Sequence, residues 1–249
     1  MSEFWKVTNE YKNSPIARYF SDLAMAYELR GQLVSKDPRS QVQKCHFEGR
    51  HFYVKQYHAS GKYLRKYLGA SRVRTEWENL VLFRQWGIPV PKVVAYGEEK
   101  CFGKFVRGVL VTEELENSMD MESLVRQSPE LFADRDWFFS LIKKLARHVR
   151  TIHQHRFAHN DLDWRNILVV NDNNQPELFF FDSPAGRFWW LSPLLEYRVV
   201  KDLAHLDKVA RQFLSPQQRL RFYYLYTGAS RLSKADKKRV RKILNYYDS

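Results

Sequence analysis

His159-Asn160-Asp161-Leu162-Asp163-Trp164-Arg165-Asn166-Ile167-Leu168 decides the reading of this chain. The run precedes two short apolar strands, ILVV (167–170) and ELFFF (177–181), joined by the turn-rich NDNNQP. Asp182 closes the second strand, sixteen residues past Asn166. Either acid by itself suits a turn or a helix cap. A carboxylate, an amide five positions later and a second carboxylate at the far end of a hairpin form a more specific set. The hairpin predicts that Asn166 and Asp182 come together as hard oxygen ligands for Mg²⁺, with Asp161 left to face an acceptor hydroxyl. Phosphoryl transfer needs that division of labour.

Working outward, WFFSLIKKLARHVRTIHQH (137–155) places Phe138, Leu141, Ile142, Leu145, Val149 and Ile152 on one stripe and predicts a buried helix. Upstream the chain is strand-rich. QVQKCHFEGRHFYVKQYH reads as a hairpin around Glu48-Gly49-Arg50 with Phe52 and Val54 on one face. RTEWENLVLFRQWG is helical, its Trp77, Leu80, Val81 and Phe83 apolar, with Gly87 as its stop. IPVPKVVAYGEEKCFGKFVRGVLVTEEL predicts another strand pair turning at Glu-Glu-Lys and ending at Glu113-Glu114-Leu115. Past a loop, SPAGRFWWLSPLLEY, the rest is helical, one helix capped by Ser215 with Pro216 and one by Ser233 with Asp236. The prediction is therefore α+β: a sheet-rich N-terminal lobe with one main helix over 1–115 and a mainly helical C-terminal lobe over 116–249, joined by a short connector near Glu114 to Asp120.

The central run resembles the catalytic loop of the protein-kinase-like superfamily, H-x-D-x-x-x-x-N, and Asp182 resembles the Asp of its D-F-G motif. The resemblance implies that Lys55 holds the α- and β-phosphates of ATP and that Glu76 is its ion-pair partner. It also implies that Glu113 to Leu115 form the hinge for adenine and that Asp202 braces the catalytic loop. Within the superfamily, RTEWENL running into GIPVPKVVAYG, then VTEELENSMDMESLV and HNDLDWRNILVV, look like the lipopolysaccharide kinases, the heptose and Kdo kinases of the core oligosaccharide. That implies an ATP- and Mg²⁺-dependent sugar kinase, peripheral on the cytoplasmic face of the inner membrane, acting on a lipopolysaccharide core acceptor; an accessory protein is left open. An aminoglycoside-phosphotransferase type of small-molecule kinase and a nucleotide-binding pseudokinase scaffold are the alternatives. The departures are specific. No G-x-G-x-x-G precedes Lys55, so the turn KDPRSQVQ, through backbone N–H groups with Arg39 or Ser40, is the expected phosphate cover. Asn160 replaces the Arg of H-R-D, and Ser183-Pro184 follows Asp182. Arg165 either aims at the γ-phosphate or pairs with Asp163. His159 is expected to hold the loop backbone, and His148, His153 and His155 lack metal-motif spacing.

Composition narrows the partners. In 249 residues there are 41 Lys+Arg against 28 Asp+Glu, a formal charge of +13, and 15% aromatic residues, which excludes collagen-like and disordered classes. Two cysteines build no disulfide framework, and Glu3, Lys6 and Glu10 interrupt any signal-like apolar region, so a reducing, cytoplasmic setting is expected. From Lys55 to Thr75 six cations stand without an acid, and from Arg198 onward 13 Lys+Arg face 4 Asp+Glu. With no nucleic-acid motif beside either tract, nucleic acid is not expected. The anionic partner is expected to be a glycolipid and the membrane that carries it. Trp189 and Trp190 are read either as core or as aromatics for sugar rings or the membrane interface.

Overall fold

A computed structural model describes residues 1–58 and 69–247. Lys62, Arg65 and Lys66 of the first cationic tract lie outside the described residues. The chain forms two compact units, residues 1–81 with 91–115, and residues 82–90 with 116–249. The segment 82–90, expected with the first unit from chain order, groups with the second. Phe83 and Ile88 explain this, because both are buried in the second unit's core.

The first unit is built on a six-stranded antiparallel sheet of order β1-β5-β6-β4-β3-β2, comprising β1 (Ser2–Val7), β2 (Gln32–Lys36), β3 (Ser40–Phe47), β4 (Arg50–Tyr57), β5 (Val93–Cys101) and β6 (Lys104–Glu113). β3 and β4 pair through the Glu48-Gly49 turn as their alternation requires, and Phe52 and Val54 are fully buried. The turn expected at Glu98-Glu99-Lys100 falls instead at Phe102-Gly103, where both residues are left-handed (φ 47° and 78°). Glu98 and Glu99 stay in β5 although buried, because each has partners: Glu98 accepts from Ser71 and pairs with Lys100 at 3.0 Å, and Glu99 pairs with Arg107 at 2.6 Å. Elements that periodicity missed complete this unit, β2 among them. β1 adds to the sheet edge against β5, and the 3-10 turn Pro15–Phe20 and α1 (Leu23–Glu28) bury Ile16, Phe20, Leu23 and Ala26 against the face carrying Phe52 and Val54.

α2 (Arg72–Gln85) lies on the other face, its Trp77 4.9 Å from Tyr96 and 5.8 Å from Phe4. Val81, expected on the apolar stripe, is 38% exposed. Gly87 (φ 71°) stops the helix as predicted, with the Ile88 N–H reaching back to the Phe83 carbonyl at 2.9 Å.

The second unit contains β7 (Ser118–Asp120), α3 (Met121–Gln127), α4 (Pro129–Ala133), α5 (Arg135–Gln154), β8 (Phe157–Ala158), β9 (Ile167–Asp172), β10 (Gln175–Phe180), β11 (Arg187–Phe188), α6 (Ser192–Phe213), α7 (Pro216–Thr227) and α8 (Lys234–Leu244). The expected connector therefore contains a strand, β7, which pairs with β9. α6 also begins inside the expected aromatic loop, with Pro193 in its first turn. α5 is the predicted buried helix, all six stripe residues being buried. Both predicted caps are formed, and each is a capping box: Ser233 with Asp236 as expected, and Ser215 with Gln218, a partner not anticipated from the sequence.

An apolar cavity of about 280 Å³ remains between α5, α6, α7 and α8, lined by Phe138, Leu141, Leu203, Leu206, Tyr223 and Ile243 among others. Its charged members, Asp207 and Arg219, bond each other at 2.7 Å, so it offers no group for phosphoryl chemistry. Among the described residues no helix is long and apolar enough to cross a membrane.

Candidate active site

The hairpin of β9 and β10 does bring Asn166 and Asp182 together. Ile167 pairs with Phe180, and the Phe181 N–H donates to the Asn166 carbonyl at 3.2 Å, so Asn166 and Asp182 both stand at the open end of one hairpin. Asp182 takes a left-handed backbone (φ 53°), a conformation unfavourable for most residues and concentrated at functional positions. The Asn166 amide nitrogen donates to the Asp161 carbonyl at 2.9 Å, which leaves its Oδ1 available as an acceptor. Asp163 caps the 3-10 turn Trp164–Asn166 and fixes the spacing between Asp161 and Asn166. The half-buried Asp161 carboxylate makes no hydrogen bond or ion pair among the described residues.

Asp202 braces this loop as expected. It is fully buried and accepts from the backbone N–H groups of His159 (2.7 Å) and Asn160 (2.8 Å). His153 stands 3.3 Å from Asp202 and 2.9 Å from the Tyr226 hydroxyl. The expectation for His159 needs correcting: its main chain is held, but its buried ring nitrogens have no hydrogen-bond partner and the ring stacks on Phe83 at 5.9 Å. Burial holds its pKa below the ordinary value, so the ring packs neutral. Asn160, noted in the sequence only as a departure, has a structural role. At φ 63° it donates to the Ala158 carbonyl (3.2 Å) and the Ala185 carbonyl (2.9 Å), tying the Asp161 loop to the segment after Asp182. Asparagine tolerates the left-handed region far better than arginine does. Only the tertiary pairing shows the need for it.

Of the two expectations for Arg165, the structure displays the contact with Asp163. Arg165 is 70% exposed, 3.2 Å from Asp163 and 3.8 Å from Glu122, and the bond to Asp163 raises its pKa.

In the first unit, Lys55 on β4 meets both oxygens of Glu76 on α2 at 3.0 and 3.1 Å. Glu76 is buried and also accepts from the Tyr57 hydroxyl. Ser40 and the Arg39 backbone lie in the predicted turn, but their donors are engaged internally. The Asp37 carboxylate receives the Arg39 N–H (2.6 Å), the Ser40 N–H (3.0 Å) and the Ser40 hydroxyl (3.0 Å). Those donors thus form an Asx turn with Asp37, and of this pair the exposed Arg39 side chain is the group left open. The Glu113 carboxylate is likewise occupied, by the Tyr11 hydroxyl and by Arg50 at 3.0 Å. Its N–H donates to the Lys92 carbonyl, and that of Glu114 to the His51 carbonyl. Leu115 is the first residue past β6 whose backbone N–H has no partner among the described residues.

The oxygen donors Asn166 Oδ1 and Asp182 suit Mg²⁺, which is commonly held by one or two protein groups with phosphates and water completing its shell. Among the described residues no group of three or more His, Cys, Asp or Glu forms an all-protein cage.

A family model described as the lipopolysaccharide kinase (Kdo/WaaP) family matches residues 28–241. The chain belongs to that family. Similar relatives include two proteins named 3-deoxy-D-manno-octulosonic acid kinase. One, from Mannheimia succiniciproducens, is 26% identical over 168 residues, 66% of this chain and 62% of that protein. The other, from Actinobacillus succinogenes, is 29% identical over 124 residues, 48% of this chain and 49% of that protein. The chain thus aligns with about half to three-fifths of the length of these relatives. A solved structure, WaaP in complex with acyl carrier protein, superposes with a TM-score of 0.74 at 22% identity over 99% of this chain and all of that one, which establishes a kinase-like fold for this Kdo/WaaP family member.

Proposed function

We propose that the protein transfers the γ-phosphoryl group of ATP to a sugar hydroxyl of the lipopolysaccharide core, with Kdo as the first acceptor to test and heptose the second. The observation that carries this reading is the Asp161–Asn166–Asp182 set: a half-buried carboxylate with no partner among the described residues, beside two oxygen donors fixed by one hairpin and braced by Asp202. Asp161 would orient the acceptor hydroxyl and take its proton as the oxygen attacks phosphorus. Asn166 and Asp182 would hold Mg²⁺, which when bound neutralises phosphate charge. Lys55, held by Glu76, is assigned to the nucleotide phosphates and Leu115 to adenine. The Kdo reading draws on the names of the relatives. The excess of 13 Lys+Arg over 4 Asp+Glu from Arg198 onward favours an anionic acceptor over a cationic aminoglycoside.

Peripheral association with the cytoplasmic face of the inner membrane follows from such an acceptor, and an acyl carrier protein, seen with WaaP, is the first accessory partner to test by co-purification. The direct assay is ATP consumption by purified protein against lipid-linked Kdo, heptose-bearing core, protein and aminoglycoside acceptors. Asp161→Asn should lower turnover by roughly 100- to 10,000-fold. If the parent and Asp161→Asn behave alike on every acceptor, the proposal fails.

A further inference from the structure

Trp189 and Trp190, paired in sequence, part company in the fold. Trp189 is half-buried, its ring 4.5 Å from the Arg198 guanidinium and 5.5 Å from that of Arg187, and its backbone N–H donates to the Arg156 carbonyl at 2.8 Å. Trp190 points outward at 77% exposure and stacks on Phe188, with ring centroids 6.1 Å apart. Leu191 (65%), Tyr197 (53%) and Leu194 (47%) continue the exposed apolar surface into the first turns of α6. Scattered exposed hydrophobics need no explanation, but five large ones within ten residues do. The backbone beneath them is fixed, since the Arg156 guanidinium bonds the Trp190 carbonyl and reaches the Ser192 hydroxyl at 3.5 Å.

The charge around this patch is one-sided. Between Ala185 and Lys201 the cations are Arg187, Arg198 and Lys201 and the only acid is Glu196. Glu196 is neutralised by Arg239 of α8 through two contacts of 2.7 and 2.8 Å. That contact, with the Tyr197–Tyr246 hydroxyl pair at 3.3 Å, sets α8 against the start of α6. α8 brings exposed Lys234, Lys237, Lys238, Arg241 and Lys242. Its one acid, Asp236, is taken up in the capping box. Exposed Trp, Phe and Leu ringed by Lys and Arg is the composition that seats a protein in an anionic lipid interface: the apolar groups enter at headgroup depth and the cations bind phosphates.

We propose that Phe188, Trp190, Leu191, Leu194 and Tyr197, with Arg187, Arg198 and the outer cations of α8, form the face by which the second unit docks onto an anionic bilayer. This rests on the reading of the acceptor as lipid-anchored, yet vesicle binding is read without turnover, so the two can fail separately. The experiment is co-sedimentation with phosphatidylcholine vesicles with and without phosphatidylglycerol. The parent should bind the anionic vesicles and lose them in high salt. Trp190→Ser/Leu191→Ser/Leu194→Ser should bind them at least about tenfold more weakly, or about 1.4 kcal/mol. Its thermal midpoint and its phosphorylation of a delipidated, water-soluble acceptor should match the parent's. Trp190→Phe/Leu191→Ile should retain binding, and so should Phe102→Ser, which removes an even more exposed aromatic from the first unit. Absence of parent binding, equal binding by the triple variant, or equal loss in Phe102→Ser would overturn the proposal. So would a triple variant that loses acyl carrier protein while the parent ignores vesicles, because the face would then serve a protein.

Discussion

Asp202 gives the sharpest test of how the Asp161 loop is built. Its carboxylate is fully buried and is the acceptor for the N–H groups of His159 and Asn160, at 2.7 and 2.8 Å, with no other acceptor for either among the described residues. Asp202→Ala leaves two donors unsatisfied where His159 itself is 0% exposed. Each orphaned donor costs about 1–3 kcal/mol, and relief of the buried charge offsets part of that, so the net loss should be about 3–5 kcal/mol. Asp202→Asn keeps one acceptor oxygen in place and should lose less, about 1–3 kcal/mol. With a urea m-value of about 2 kcal/mol/M, the alanine variant should unfold at a midpoint lower by about 1.5–2.5 M, with m unchanged. Turnover should suffer in both, because the left-handed turn at Asn160 that presents Asp161 depends on the same carboxylate. The measurement is urea unfolding followed by far-UV circular dichroism, alongside ATP turnover. An alanine variant within about 0.5 kcal/mol of the parent, or an asparagine variant less stable than alanine, would refute the reasoning.

Other outcomes follow from single contacts. Lys55→Met should weaken productive ATP use by about 100-fold or more, and should also destabilise by about 3–5 kcal/mol because it strips the cation from buried Glu76. Lys55→Met/Glu76→Leu should recover stability without recovering activity, which separates the two roles. His148 is buried on α5 and its pKa is lowered to about 4, chiefly by burial. The unfolded chain therefore binds a proton that the folded one refuses, and stability should fall as pH drops from 6.5 towards 4, by up to about 3 kcal/mol. His148→Leu should reduce that slope in urea unfolding measured across the range, leaving the part due to other buried histidines such as His159, and an unchanged slope would reject it. Ser215→Ala breaks a formed capping box and should lower stability by about 1 kcal/mol, read as a shift in thermal midpoint.

Local signals made much of this protein legible. α5, the β3–β4 and β9–β10 hairpins and the two capped C-terminal helices follow from periodicities and caps that act within a few residues. The juxtaposition of Asn166 with Asp182 was legible because a hairpin leaves few alternatives for its two ends, whereas the Lys55–Glu76 pair was legible only through the resemblance to the kinase superfamily. β1 and α1 were not, since their burial depends on a sheet assembled from distant strands. The turn between β5 and β6 was misplaced because Glu98-Glu99-Lys100 has turn-like polarity, and only Ser71 and Arg107 make those acids tolerable in a strand.

The division has one physical cause. Residue types and spacings determined which groups could do phosphoryl chemistry, because a carboxylate, an amide and a second carboxylate carry their oxygens wherever the chain places them. Which donors were already taken was decided by tertiary structure alone. Asp37 consumes the Arg39 and Ser40 N–H groups, Asp163 and Glu122 draw Arg165 aside, and Arg239 cancels Glu196, while Asp161 keeps its carboxylate open. A hydrogen-bonding group acts on a ligand only if nothing nearer satisfies it, and in a folded chain the nearer partner is mostly remote in sequence.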